Sequence, residues 1–215
     1  MRDEKIKIID SGLIDYAQAL DLQLELLKDR QADKIANTVL LLEHPAVITL
    51  GARKSENKLI ATEEFLLSQK IVLESAGRGG GTTAHNPGQI VVYPIIKLKS
   101  IGLGVNEYVR SLEGIGIELL KMVGVESGQR KGLPGLWVGG KKIASIGVQI
   151  KKWTTIHGMA INICNDLSIF DNIVPCGLDD VEMTSVLKET SKKWDLSKVK
   201  EMLAELCDKH WSKIR

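Results

Sequence analysis

Leu136-Trp137-Val138-Gly139-Gly140-Lys141-Lys142-Ile143-Ala144-Ser145-Ile146-Gly147-Val148-Gln149-Ile150 reads as two strands folded about a two-residue glycine turn. Strand-like sequence continues from Trp153 to Ile163, extending the hairpin into an antiparallel meander. Outward from this segment, Ile6 to Ile9, Thr38 to Leu42, Ala46 to Leu50, Ile71 to Glu74 and Ile90 to Ile96 are further short apolar runs of strand character. His44-Pro45 separates the second from the third, and the two are expected to lie as neighbouring strands. Three helices interrupt the series. The first spans about Leu13 to Asp29, with an expected core stripe of Leu13, Tyr16, Leu20, Leu24 and Leu27. The second carries Val105, Tyr108, Leu112, Ile115, Leu119 and Val123, is capped by Gly124 and is expected to face the sheet. The third carries Leu196, Val199, Leu203, Leu206 and His210. Meanders interleaved with a few helices imply an α+β fold of mixed, largely antiparallel sheets rather than a doubly wound parallel sheet. No linker or repeat divides the 215 residues, so 1–215 is expected to be one domain with a full core.

Composition excludes several function classes. Lys and Arg number 29 against 27 Asp and Glu, a net charge of +2, so no overall field points to nucleic acid or anionic lipid. The three cysteines, Cys164, Cys176 and Cys207, have no CxxC spacing, which supports neither a disulfide framework nor a zinc knuckle. No apolar run approaches the roughly 18 residues of a membrane span, and the mixed-charge start Met1-Arg2-Asp3-Glu4-Lys5 resembles no signal peptide. A soluble protein in the reducing cytoplasm is the expectation.

Common catalytic signatures are missing. The sequence has no GxxxxGK[ST], HExxH or GxSxG, and His44, His85, His157 and His210 show no metal-ligand spacing. Three features remain. Lys142, two residues past the glycine turn, shares strand parity with Ala144, Ile146, Val148 and Ile150, which places an amine on an apolar face. There it either snorkels out near the strand end or is kept for chemistry. Cys176 lies between Pro175 and Gly177, and a turn there leaves a sulfur accessible. A nearby cation would raise the small thiolate fraction of a free thiol. The third feature is the polar loop Arg78-Gly79-Gly80-Gly81-Thr82-Thr83-Ala84-His85-Asn86-Pro87-Gly88-Gln89, a ligand cradle joining two strands. Arg78 can clamp that loop or orient a carbonyl. Cys164 and Cys207 read as packing residues, and His44 and His157 as candidates at strand ends.

Taken together these segments resemble the lipoyl(octanoyl) transferase family. The resemblance runs through Glu43-His44-Pro45-Ala46-Val47-Ile48-Thr49-Leu50-Gly51, the Arg78 loop, Lys142 to Gly147, His157-Gly158-Met159-Ala160-Ile161-Asn162, and Pro175-Cys176-Gly177 with Thr184-Ser185. It implies a biotin/lipoate ligase-like fold and octanoyl transfer from octanoyl-acyl carrier protein to a lysine of lipoyl domains. The acceptors implied are the 2-oxoacid dehydrogenase complexes and the glycine cleavage H protein. By position, Cys176 matches the acyl-thioester nucleophile and Lys142 the residue that lowers its pKa. Acyl binding falls on Arg78, Gly79, Gly80, Gly81, Thr82, Thr83, Ala84 and His85, on Ser145, Ile146 and Gly147, and on Gly158, Met159 and Ala160. No cofactor and no metal are implied. Ala84 and Asn86 stand where the family commonly has tyrosine and glycine, and Gly81 where a larger residue is common, so the resemblance leaves the pocket's shape, and with it the chain-length preference, open. The residues alone leave open an ATP-dependent ligase, a silent acyl-binding protein and a cysteine thioesterase.

Overall fold

The computed structural model describes residues 5–175 and 181–212. Its main sheet has seven strands in the order β1-β2-β6-β10-β9-β8-β7, made of β1 (Lys7–Leu13), β2 (Thr38–Glu43), β6 (Gln89–Ile95), β7 (Gly128–Arg130), β8 (Leu133–Val138), β9 (Lys141–Lys151) and β10 (Thr154–Asn162). Only the β1–β2 pair is parallel. A second sheet of three short strands, in the order β4-β3-β5, joins β3 (Val47–Leu50), β4 (Val72–Ser75) and β5 (Thr83–His85). The β8-β9-β10 meander is present as expected, and the fold is α+β.

Strand alternation explains the layers. Val39, Leu41, Ile90 and Val92 point to one face, where α3 (Val105–Met122) and α5 (Leu196–Trp211) cover them. Leu40, Leu42, Val91, Tyr93 and Ile95 point to the other, against α1 (Tyr16–Gln31). Central strands buried on both faces read as unbroken apolar runs, as these do. Among the described residues two smaller α-helices also occur, α2 (Glu63–Ser68) and α4 (Val186–Thr190). Thr62 and Ser185 cap them by accepting from the Phe65 and Lys188 amides at 3.2 Å each. Gly124 follows α3 with φ +90°, as its capping role requires.

Three expectations need correction. The runs at 38–42 and 46–50 are not neighbours: they enter different sheets, and His44-Pro45 marks the crossing. The first helix begins at Tyr16, because β1 runs on to Leu13, which is 60% exposed. Its buried face is Tyr16, Ala19, Gln23, Leu27 and Arg30, with Leu24 turned outward. Gln23 and Arg30 enter the interior because each meets a polar partner there. The His157 amide donates to Gln23 Oε1 at 2.7 Å, and Arg30 Nε donates to Asn37 Oδ1 at 2.8 Å. Finally, the Arg78 loop is not uniform loop, since residues Thr83–His85 pair with β3.

Candidate active site

The glycine turn places Lys142 at the start of β9, opposite Trp137. The two lysines after the turn diverge. Lys141 reaches the surface and meets Glu189 at 3.1 Å, whereas Lys142 is 1% exposed. Snorkelling is thereby excluded for Lys142. Its Nζ lies 5.4 Å from the centroid of the Trp137 ring, close enough for the cation to feel the π face. Space for its stem depends on Gly135: a Cβ there would stand 2.8 Å from Lys142 Cε and 2.4 Å from the Ala144 carbonyl oxygen. The Lys142 backbone is also fixed. Its N–H donates to the Glu182 carbonyl at 2.8 Å and its carbonyl accepts from the Thr184 amide at 2.9 Å.

Cys176 lies outside the described residues. Both chain segments that flank it are tied down. Upstream, the Val174 amide donates to the Lys58 carbonyl at 3.1 Å, and Ile173 bridges to Leu59. Downstream, residues Glu182 to Thr184 are held against Lys142 itself.

The Arg78 loop lies across β9. The Gly79 amide donates to the Val148 carbonyl at 3.0 Å. A Cβ on Gly147 would stand 2.8 Å from the Gly79 oxygen, so only glycine permits this approach. Arg78 is the clamp. Its buried guanidinium donates to the Thr49 carbonyl at 2.8 Å, to Thr49 Oγ1 at 2.6 Å, and to the Gly81 and Gly79 carbonyls at 2.8 and 3.2 Å.

Loop and sheet enclose a narrow slot of about 30 Å³. Arg78, Gly79, Gly80, Thr83 and His85 form one wall, while Ser145, Ile146 and Gly147 from β9 face Gly158, Met159 and Ala160 from β10. Gly147 and Gly158 are register partners, which leaves a patch without side chains across two paired strands. Beside the slot opens a cleft of about 300 Å³ that contains Lys142 and Pro134 and shares Gly79, Gly80, Ile146 and Gly147 with it. The remaining loop candidates stand behind the wall. The Gly81 carbonyl receives Arg78, Thr82 Oγ1 accepts from the Lys58 amide at 3.1 Å, and Ala84 packs with Ile48 and Phe170.

Tyr16, Tyr93 and His157 also line the slot, and none of the three lines the cleft. The sequence places Tyr16 on a core stripe and Tyr93 in a strand, with no sign that the two meet. His44 Nδ1 faces the Ile14 carbonyl at 2.7 Å and so carries the proton, leaving Nε2 to accept from the Tyr93 hydroxyl at 2.9 Å. His85 Nδ1 donates to Gln89 Oε1 at 2.7 Å, Gln89 Nε2 to Asn162 Oδ1 at 2.9 Å, and Asn162 Nδ2 to the Thr184 carbonyl at 3.0 Å. This relay ties the slot wall to the segment that holds Lys142. Burial pushes all three imidazoles toward the neutral form. His157 falls to about 4, helped by Arg78 and Lys151. His85 drops well below its usual value through burial and the adjacent His44, and His44 is lowered by burial. Burial raises the Tyr16 hydroxyl to about 12. At neutral pH the wall therefore presents uncharged imidazoles and phenols around a clamped guanidinium. This arrangement can bind an extended apolar chain and place its reacting end beside an amine.

Comparison with known proteins bears on that chemistry. Residues 15–207 match the family model described as the lipoyl protein ligase A/B catalytic domain. The chain is 36% identical to an octanoyltransferase of Maridesulfovibrio salexigens, over 93% of this chain and 94% of that one. It is 42% identical to the mitochondrial octanoyltransferase LIP2 of Arabidopsis thaliana, over 83% and 77%. Among solved structures, a lipoate-protein ligase A bound with ATP superposes with a TM-score of 0.71 at 13% identity, covering 97% of this chain and 85% of that one. The Aquifex aeolicus biotin protein ligase in complex with biotin and ATP gives 0.58 at 14% identity, over 96% and 71%. At such low identity these two likenesses show the fold, which is the biotin/lipoate ligase type.

Proposed function

The chain belongs to the lipoyl protein ligase A/B catalytic domain family, and from that premise we propose that Cys176 carries an octanoyl group as a thioester, with Lys142 as its proton partner. The chain is an acyltransferase that moves octanoyl groups in protein lipoylation. The proposal adds the route. The Cys176 thiolate attacks the thioester carbonyl of octanoyl-acyl carrier protein, the carbon–sulfur bond to the carrier breaks, and the carrier sulfur leaves as a thiol with the proton that Lys142 had taken from Cys176. The ε-amine of a lipoyl-domain lysine then attacks the enzyme thioester, an amide forms, and Cys176 departs as thiolate. Lys142 favours that thiolate and relays the proton shed by the attacking amine. Lipoyl domains of 2-oxoacid dehydrogenase complexes and the glycine cleavage H protein are the acceptors we infer, and the cytoplasm, which keeps thiols reduced, is the compartment. The whole span 1–215 acts as one catalytic domain in this reading.

One observation carries the proposal. A lysine shielded from water stands in a cleft continuous with a slot, and its backbone grips the chain six to eight residues past Cys176. Thioester exchange is nearly balanced and amide formation is downhill, so the route needs no ATP. Intact-protein mass spectrometry tests it: octanoyl-acyl carrier protein is mixed with wild type or Cys176→Ala, without ATP, and chased with a lipoyl domain. An octanoyl adduct on wild type alone, which then moves to the acceptor lysine, is the expected result. Transfer that requires ATP and free octanoate, with no adduct, would assign an adenylate-forming ligase instead.

A further inference from the structure

Resting on the octanoyl-transfer reading above, we propose that the inner end of the slot is a polar stop, built by Tyr16 and His157, that sets the length of acyl chain accepted. Direction comes first. Lys142 lines the cleft and not the slot, whereas Tyr16 and His157 line the slot and not the cleft. A chain whose carbonyl lies near Lys142 passes the shared Gly79, Gly80, Ile146 and Gly147 and meets Tyr16 and His157 only beyond them.

What it meets there is polar and unsatisfied. The Tyr16 hydroxyl and both His157 ring nitrogens are buried and have no hydrogen-bond partner among the described residues, in side chains 4% and 1% exposed. Neighbouring groups differ. The Tyr93 hydroxyl is taken by His44, and His85 Nδ1 by Gln89. Buried polar groups are normally paired, so these three atoms are left for whatever enters the slot. The backbone that carries the imidazole is fixed, because it adopts φ +58°, rare for a non-glycine residue, and its amide donates to Gln23 Oε1 at 2.7 Å. The slot as a whole has about 30 Å³ of free volume, above the roughly 10–15 Å³ that one water needs, so a single small hydrogen-bonding molecule has room beside these groups.

Chain length follows. Methylenes that stop short of Tyr16 gain burial along Met159 and Ala160. Further methylenes displace the hydrogen-bonding molecule and leave a hydroxyl and an imidazole unpaired, which opposes the gain. The end thus favours a chain that fills the slot only as far as the stop.

The test compares wild type, Tyr16→Phe and His157→Leu with hexanoyl, octanoyl, decanoyl and dodecanoyl carrier-protein donors. Each removed polar group is expected to raise the decanoyl-to-octanoyl ratio of kcat/KM by about fivefold to tenfold. A purely structural role for either side chain would lower both rates and leave the ratio alone. Tyr16→Phe, which keeps the ring, covers the case in which His157→Leu does not fold. Calorimetric binding of free octanoate and decanoate to the same proteins asks the question without turnover. No transfer from any donor, with the affinity ratio shifted, would sink the transfer reading and leave the stop standing. A decanoate preference within about twofold of wild type in a folded Tyr16→Phe variant, in both assays, overturns the stop.

Discussion

Thr184 is bound to Lys142 through its amide, which donates to the lysine carbonyl at 2.9 Å, while its own carbonyl receives Asn162 Nδ2 at 3.0 Å. Asn162 is in turn held by Gln89, and Gln89 by His85 in the slot wall. The lysine, the segment downstream of Cys176 and the slot are therefore parts of one hydrogen-bonded unit, which is the rigidity the proposed reaction needs to hold an amine against a reacting carbonyl.

Replacing Lys142 by methionine keeps most of the buried stem and removes the amine. Transfer is expected to fall by at least about 100-fold, the lower end of what a positioned proton-transfer group contributes. Initial rates alongside a thermal melt check this, since a folded Lys142→Met protein with near-normal transfer ends the lysine's assignment.

Two glycines that face one another should fail differently. A Cβ on Gly158 would stand 2.2 Å from the Val92 carbonyl oxygen, inside the β10–β6 ladder. A Cβ on Gly147 meets the Gly79 oxygen at 2.8 Å, in the loop over the slot. Gly158→Ala should cost about 2–3 kcal/mol of stability and Gly147→Ala less, with transfer the larger casualty in the latter. Denaturant midpoints and rates on both variants decide it, and a reversed order of midpoints would contradict the packing argument.

Acid should unfold this protein through its buried imidazoles. In the unfolded chain His157 takes up its proton near 6.5, and in the folded state only near 4. The unfolded state thus binds more protons across that interval, so stability is fully present above about pH 7 and is lost as pH falls from 6.5 toward 4. For His157 alone the loss amounts to about 3 kcal/mol, and His85 and His44, lowered in the same direction, add to it. Urea midpoints at about pH 7, 6 and 5 should decline, and His157→Asn, which tolerates φ +58°, should flatten the decline. Parallel slopes for the two proteins would exclude His157 as a source.

Much of this site is legible in the sequence because it rests on local rules. Strand parity alone puts Lys142 on the apolar face, and a glycine pair predicts the turn that aims it. The cluster of Arg78, Gly79, Gly80, Thr83 and His85 with Ser145 to Gly147 and Gly158 to Ala160 is assembled from segments that stand out on their own. Sequence reading fails where polarity and topology act over distance. Gln23 and Arg30 lie off the expected stripe because nothing local reveals that His157 and Asn37 await them. Thr38 to Leu42 and Ala46 to Leu50 look alike as apolar runs, yet only long-range pairing sends them to separate sheets. Tyr16 escapes notice for the same reason, since it packs as a stripe residue should and yet also lines the slot.

Thiol reactivity offers an independent check on the cysteine assignment. Cys207 is fully buried in the α3–α5 core, and burial pushes its thiol up to about 12. At about pH 7.5 that leaves a thiolate fraction of roughly one in 10⁴ to 10⁵, too little to react with an alkylating reagent on a minute scale. Cys164, half-buried just past β10, is also raised by burial, with Lys193 pulling weakly the other way. A thiol beside a lysine follows the opposite rule, because the cation favours the anion. Brief iodoacetamide treatment of the native protein, followed by peptide mass analysis, should therefore label Cys176 first and leave Cys207 untouched. Lys142→Met should slow that labelling by about tenfold without exposing Cys207. Labelling of Cys176 at the rate of Cys164, unchanged in Lys142→Met, would separate the amine from the thiol and leave the lysine without its proposed role.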